Sequence, residues 1–260
     1  MPGAALLVVR AAQRAGAGLV TLGCLDEALS RVLPSASPET LYLELSGSRE
    51  LFRGQLPGEL REHRHDARLA GPGLGSGART RELVECLVED REFDGPLLLD
   101  ADALNVAAGR LDLLATCATP LVLTPHPGEA GRLLGRDVPA DGDGRFEVAR
   151  SIARASGGIC VLKGAGTVIT DGERDAVNET GCAAMATAGT GDVLCGILGA
   201  YMCSLSGDFD LFAAARAAVW VHGRAGELAA EARGVRGTVA SDLIEHLPLA
   251  QLEHQERSGA

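Results

Sequence analysis

Short apolar runs alternate with helical patterns along most of the chain, and the runs end in turns rich in glycine, aspartate or proline. Four run-and-turn pairs stand out: ARLA before GPGLG, PLLLD before ADALN, PLVL before TPHPGE, and ICVL before KGAGT. Strands that alternate with helices predict a mostly parallel sheet with helices on both faces. We therefore expect an α/β fold.

The remaining stretches predict elements on either side of this pattern. Residues 4–17 predict a helix, and a short strand is expected over Leu19 to Leu22. Prolines make 34–66 irregular around one candidate strand at Leu41 to Leu45. Further helices are predicted near 78–90, at 145–156 after an exposed turn at 137–144, at 192–205, at 209–232 and from Ser241. No repeat or separating linker is found, so we expect a single domain over 1–260.

The four turns share one position in the predicted sheet. Each follows the carboxyl end of a parallel strand, which is the edge where open α/β sheets bind their ligands. Four polar, glycine-rich turns at that edge predict one common site.

Composition excludes several classes of function. The 24 basic and 35 acidic residues give a net charge of −11, which disfavours nucleic acids and anionic membranes as partners. Aromatic residues make up only 3%, which argues against base-stacking surfaces. The seven cysteines contain no CxxC pair and indicate reduced thiols. With no signal-peptide pattern and no membrane-length apolar run, we expect a cytoplasmic protein.

The chain contains a single lysine, Lys163, and it directly follows a buried-looking strand. A lysine at a strand end can reach phosphate oxygens while the glycine-rich segment Lys163–Thr167 closes over them. The alternative is a turn with an incidental surface charge. The segment does not match the GxxxxGK[ST] phosphate loop, so a Walker-type NTPase is not supported.

The motif AGTGD, Ala188 to Asp192, opens an apolar helix. Glycines allow a ligand to approach the backbone, and the free N–H groups of a helix start form an anion pocket. Asp192 could cap the helix, or it could accept a proton from a substrate hydroxyl. Local sequence leaves both interpretations open.

The other turns carry fewer chemical groups. Gly71–Gly75 allows either close ligand approach or simply a tight turn, and capping is the default role of Asp102 in the cluster that also holds Asp100 and Asn105. His126 lies between two prolines and is a candidate ligand contact, with a structural hydrogen bond as the alternative.

The other histidines and glutamate have plainer expected roles. Glu129 suits a first helical turn, His222 is expected to pack, and His63 and His65 to be solvated. Neither HxxxH nor HExxH occurs, so no protein-bound transition metal is expected.

Five motifs together carry a family resemblance: GPGLG, LDADALN, LTPHPGEAGRLLG, VLKGAGTVIT and MATAGTGDVLCGILGA. In this order they closely resemble the ADP/ATP-dependent NAD(P)H-hydrate dehydratases, which repair damaged nicotinamide cofactors. The resemblance runs from about Gly3 to Leu247. It implies a ribokinase-like three-layer fold with a mostly parallel central sheet.

The resemblance also implies the reaction and its residues. ADP in bacteria, or ATP in eukaryotes, with Mg²⁺ would phosphorylate the C6 hydroxyl of the S epimer of hydrated NADH or NADPH, making it a better leaving group. Asp192 matches the catalytic, substrate-contacting aspartate that deprotonates this hydroxyl. The nucleotide-binding positions implied are Lys163, Gly164, Ala165, Gly166, Thr167 and Gly191. The substrate-binding positions implied, besides Asp192, are Ala4, Gly75 and His126.

Two departures from the family pattern bear on this hypothesis. The family normally begins with a strand before the first helix, whereas Met1-Pro2 opens directly on Gly3, so either the chain starts late or that strand is lacking. The family's NPTGNPGM segment is replaced by Asn178–Met185, which lacks both prolines and one asparagine, and we expect a looser loop. The alternatives are a ribokinase-like kinase of vitamin precursors and a catalytically impaired nucleotide-binding protein. A homo-oligomer, a tetramer, is implied by the resemblance alone.

Overall fold

The computed structural model describes residues 2–45, 60, 64–138, 142, 144–203 and 210–259. The expected solvation of His63 and most of the expected turn at 137–144 lie outside the described residues. The strands are β1 Thr21–Cys24, β2 Leu41–Glu44, β3 Arg68–Ala70, β4 Leu97–Leu99, β5 Leu121–Leu123, β6 Ile159–Leu162, β7 Val168–Thr170 and β8 Asp175–Val177. The helices are α1 Pro2–Arg14, α2 Glu27–Val32, α3 Ala78–Glu89, α4 Asp102–Val106, α5 Leu111–Leu114, α6 Pro127–Leu134, α7 Gly144–Ser156, α8 Thr190–Met202, α9 Leu211–Arg233 and α10 Ala240–Ser258.

The main sheet has six strands in the order β3-β4-β5-β6-β7-β8. Strands β3 to β6 run parallel, and β7 and β8 continue the sheet in antiparallel fashion. The predicted α/β class with a mostly parallel sheet is therefore confirmed. The two antiparallel strands were not predicted, because they form a short meander directly after the glycine-rich turn that follows β6.

Alternate residues of the parallel strands face two separate apolar layers. Leu97 and Leu99 of β4 pack in the layer that contains helices α3 to α7. Leu98, between them, packs in the opposite layer with α1, α8, α9 and α10. Because successive side chains of a strand point to opposite faces, runs such as LLL must be apolar throughout when both faces are covered. The result is a three-layer arrangement.

Helix α1 lies against α8 at very close range. A Cβ atom placed on Gly196 would lie 2.2 Å from the carbonyl oxygen of Val8, so only glycine allows this approach. The contact fixes the start of α8, where AGTGD lies, beside the first helix.

Strands β1 and β2 form a separate two-stranded parallel sheet, with Thr21 paired to Leu41. The strand expected at Leu19 to Leu22 begins two residues later, and Leu19 is 70% exposed. Among the described residues, no helix is long and apolar enough to cross a membrane.

Candidate functional site

The turns after β3 and β4 touch each other at the carboxyl edge of the sheet. Gly71 has φ +137°, and a Cβ there would lie 1.7 Å from the carbonyl oxygen of Asp100. Gly75 donates its backbone N–H to the Asp102 carboxylate at 2.7 Å. The glycines therefore bring the GPGLG and DADALN turns together, and Asp102 serves this contact as well as beginning α4.

Lys163 forms the centre of a buried group of polar side chains, which we call the lysine cluster: Lys163, Asp100, Glu129 and Cys195. Its Nζ lies 2.6 Å from Asp100 and 3.8 Å from Glu129, whose side chains are 2% and 5% exposed. The Cys195 thiol donates to the other Asp100 oxygen at 2.9 Å. Burial alone would lower the pKa of Lys163, but the neighbouring carboxylates outweigh it and hold that pKa above its usual value. Lys163 is therefore a fixed cation rather than a solvated surface charge.

The lysine amine also lies at the start of α8. A Cβ placed on Gly191 would be 3.6 Å from Lys163 Nζ. His222 contacts the carbonyl oxygen of Thr190 at 2.8 Å, and burial lowers the pKa of this histidine to about 4, which keeps its ring neutral. The first N–H groups of a helix have no partner within it and favour anions. The Lys163 amine and the free N–H groups at the start of α8 therefore form a site for an anion, which we call the anion pocket.

Asp192 stands in the first turn of α8, next to this pocket. Burial, reinforced by the negative charge of Asp100 and opposed by Lys163, raises the pKa of Asp192 to about 6. A carboxylate with such a pKa is ionised at neutral pH yet more basic than usual, which suits a general base. Gly189 is the N-cap of this helix, and the charge of Asp192 in its first turn also favours the helix start, so the structure leaves both interpretations of Asp192 open.

Arg145, a buried residue of α7, anchors the segment Lys163–Thr167. Its guanidinium donates to the carbonyl oxygens of Leu162, Lys163 and Ala165. Because the N–H that follows a carbonyl in a planar peptide points the opposite way, the N–H groups of Gly164 and Gly166 face away from Arg145. That orientation suits phosphate binding. The role of Arg145 was not predicted, because nothing in the sequence distinguishes it from the other polar residues of that helix.

His126 is the N-cap residue of α6. Its Nδ1 accepts from the backbone N–H groups of Gly128 and Glu129 at 3.0 and 3.3 Å, and Glu129 accepts from the His126 N–H at 2.8 Å. The structural hydrogen bond considered as an alternative is thus present. The His126 side chain is nevertheless 49% exposed, so its ring also borders the open part of the site.

Ala4 lies on α1, buried, one turn before Leu7. A Cβ placed on Gly189 would be 2.6 Å from Leu7 Cδ1, which puts this end of α1 beside the anion pocket. The role of Ala4 as a substrate contact stays a prediction.

The altered segment 178–185 is tied to α9 by hydrogen bonds. The Thr180 hydroxyl donates to the Trp220 carbonyl oxygen at 2.9 Å, and the Gly181 N–H donates to Glu227 at 2.8 Å. A Cβ on Gly223 would lie 2.2 Å from Thr180 Oγ1, so the segment sits directly on the helix backbone. The loop expected to be looser is anchored without the prolines.

Within the part of the chain that the structure describes, no three histidine, cysteine, aspartate or glutamate side chains are grouped to hold a metal ion. The carboxylates around the anion pocket are those of Asp100 and Glu129, which pair with Lys163, and that of Asp192. Any ion at this place would depend on further ligands such as phosphate oxygens and water.

Comparison with known proteins agrees with this geometry. The family model described as NAD(P)H-hydrate dehydratase matches residues 1–249. A bifunctional NAD(P)H-hydrate repair enzyme of Moorella thermoacetica is 38% identical over 98% of the chain and 48% of its own length, and the Escherichia coli one is 38% identical over 94% and 44%. The chain thus spans about half the length of the curated relatives it matches.

Solved structures show the same relationship. The ADP/ATP-dependent NAD(P)H-hydrate dehydratase of Bacillus subtilis, co-crystallised with ATP/Mg²⁺ and soaked with CoA, has a TM-score of 0.81 and 31% identity, covering 98% of this chain and 88% of its own. A hydroxyethylthiazole kinase of Pyrococcus horikoshii has a TM-score of 0.64 and 20% identity over 94% and 93%, which shows a shared fold only.

Proposed function

The chain belongs to the NAD(P)H-hydrate dehydratase family, and from this premise we propose that it restores NADH or NADPH from the S epimer of the hydrated cofactor, using ADP. One observation carries the proposal: Asp192, a carboxylate with a pKa of about 6, stands beside an anion pocket made by Lys163 and the start of α8. A base and a phosphate site side by side are what phosphorylation of a hydroxyl requires.

The reaction follows from these positions. Asp192 removes the proton from the C6 hydroxyl, and the C6 oxygen attacks the terminal phosphorus of ADP, whose bond to the bridging oxygen breaks to release AMP. Lys163 and the N–H groups of Gly189–Gly191 stabilise the charge of the transferred phosphoryl group. The C6–O bond then breaks with inorganic phosphate as the leaving group. Loss of a proton from the neighbouring ring carbon restores the dihydronicotinamide.

The nucleotide phosphates are assigned to two backbone segments. Gly164 and Gly166 present N–H groups away from Arg145, and Gly191 lies against Lys163 Nζ. Mg²⁺ would accompany the nucleotide and neutralise phosphate charge. Phosphate oxygens and water would hold this ion, because both Asp100 oxygens already bond Lys163 and Cys195.

The direct test is incubation of the protein with hydrated NADH, ADP and Mg²⁺ while absorbance near 340 nm is followed. Absorbance should return in step with AMP and phosphate release, and ATP should support a slower return. The matched control omits the nucleotide. Nucleotide binding without any return of absorbance would contradict the proposal, and a stable phosphorylated thiazole or pyrimidine alcohol would favour a kinase instead.

We propose further that the protein acts in the cytoplasm as a homo-oligomer, a tetramer. Support comes from Leu249 and Leu252, which are 47% and 57% exposed on one face of α10. Light scattering after size-exclusion chromatography measures the mass directly. A monomer of 26.8 kDa would contradict this assignment.

A further inference from the structure

Arg132, on α6, extends its side chain back toward the start of that helix. A Cβ placed on Gly128 would lie 3.6 Å from Arg132 Nη1 and 2.9 Å from His126 Cε1. The guanidinium and the imidazole ring are therefore neighbours over Gly128, in keeping with the direction that long helical side chains take. We call His126 and Arg132 the rim.

The guanidinium is oriented by a neutral partner. Its Nε donates to the Asn105 side-chain oxygen at 3.0 Å, which joins the rim to α4 and the turn after β4. This bond uses only Nε. The two terminal nitrogens, Nη1 and Nη2, point away from Asn105.

Nearby carboxylates do not neutralise Arg132. Glu129 bonds the backbone N–H of His126, and Asp102 bonds that of Gly75. Over the described ranges, Arg132 forms no salt bridge, although the chain has 35 acidic residues against 24 basic ones. An exposed arginine held by an amide beside a ligand site is free to bind an anion.

We propose that Arg132, oriented by Asn105, binds a phosphate group of the hydrated dinucleotide. This inference rests on the proposed function, which places the nicotinamide ring at Asp192. A planar guanidinium matches phosphate oxygens in a two-point hydrogen bond. The pyrophosphate, present in both cofactors, and the 2′-phosphate, present only in NADPH, share this chemistry.

The test compares Arg132→Gln with Arg136→Gln, a control two residues beyond the end of the same helix, where the arginine donates to the Ser151 hydroxyl at 3.3 Å. For Arg132→Gln, KM for the hydrate should rise about 10- to 100-fold, as expected for a charge-assisted hydrogen bond, with kcat and KM for ADP within about twofold. The dissociation constant of NADPH, measured by its fluorescence, should rise by a similar factor. Asn105→Ala should shift the same constants in the same direction by less, which marks it as a positioning residue.

Comparing hydrated NADH with hydrated NADPH shows which phosphate group Arg132 binds. Equal losses for hydrated NADH and NADPH assign Arg132 to the pyrophosphate, and a loss confined to NADPH assigns it to the 2′-phosphate. Unchanged KM and NADPH affinity in a variant that turns over would overturn the inference. Failure of the proposed function is distinguishable, because wild-type protein would then restore no absorbance at all.

Discussion

The lysine cluster and the rim lie at the same edge of the sheet but in opposite environments. In the cluster, the Lys163 amine is 2.6 Å from a carboxylate that is 2% exposed. Its four residues come from helices α6 and α8 and from the turns after β4 and β6. On the rim, His126 is half exposed and Arg132 is held by a single amide. The cluster is positioned before any ligand binds, whereas the rim can adjust to one.

The two environments should affect different steps, the reaction itself in the cluster and substrate binding at the rim. Charges fixed in a water-poor site stabilise a developing negative charge without reorganisation. Exposed groups are screened by solvent and contribute mainly to binding the remote parts of a substrate. We therefore expect changes at Asp192 and in the lysine cluster to impair phosphoryl transfer, through turnover or nucleotide binding, and changes on the rim to weaken affinity for the hydrated cofactor.

Asp192→Asn should produce the largest effect. The amide keeps the size of the side chain but cannot take a proton, so kcat should fall by about 10²- to 10⁴-fold. Nucleotide affinity, measured by titration calorimetry, should stay within a few-fold. Near-normal turnover in this variant would show that Asp192 is not the base.

Lys163→Met should weaken both stability and nucleotide binding. It leaves the buried Asp100 without its cation, which costs about 3–5 kcal/mol of unfolding free energy. Arg68→Met is the matched control, because Arg68 and Asp90 form another buried pair at 2.6 Å. Both variants should melt earlier, but only Lys163→Met should lose nucleotide affinity, by tenfold or more. Equal nucleotide affinity in the two would reduce Lys163 to a structural residue, and Lys163→Arg should recover part of the loss.

The rate should depend on pH through Asp192. Burial raises the pKa of this carboxyl to about 6, and the base works only when it is ionised. The value of kcat/KM should therefore level off above pH 7 and fall about tenfold per unit below pH 6. Because ADP also titrates in this range, its dissociation constant must be measured at each pH. A profile that stays flat down to pH 5 would contradict the assignment.

Where the signal was local, the sequence predicted which turns share one edge of the sheet. The strand-and-turn pattern placed Gly75, His126 and Lys163 at one edge, and the parallel pairing of β3 to β6 brings their turns there. The family and the fold expected from the motifs are confirmed. The individual roles of the site residues stay predictions.

Long-range pairing could not be predicted in this way. Asp100 and Lys163 are 63 positions apart, and nothing in DADALN distinguishes a buried ion partner from a helix cap. Arg145 is similar, since only the fold turns this arginine toward the carbonyls of the turn after β6. Such roles depend on which strands become neighbours, and that information is spread over the whole chain.

Replacement of His126 should give the smallest effect and separate its two roles. His126→Ala removes the cap of α6 and should lower the unfolding free energy by about 1 kcal/mol. His126→Asn supplies another capping oxygen and should retain most of that stability. Because the ring is also a predicted substrate contact, both variants should raise KM for the hydrate by a similar factor while kcat changes little. Denaturant unfolding measures the free energy of unfolding, and steady-state kinetics measure KM. A raised KM in His126→Ala alone, with the KM of His126→Asn unchanged, would show that His126 serves only as a helix cap.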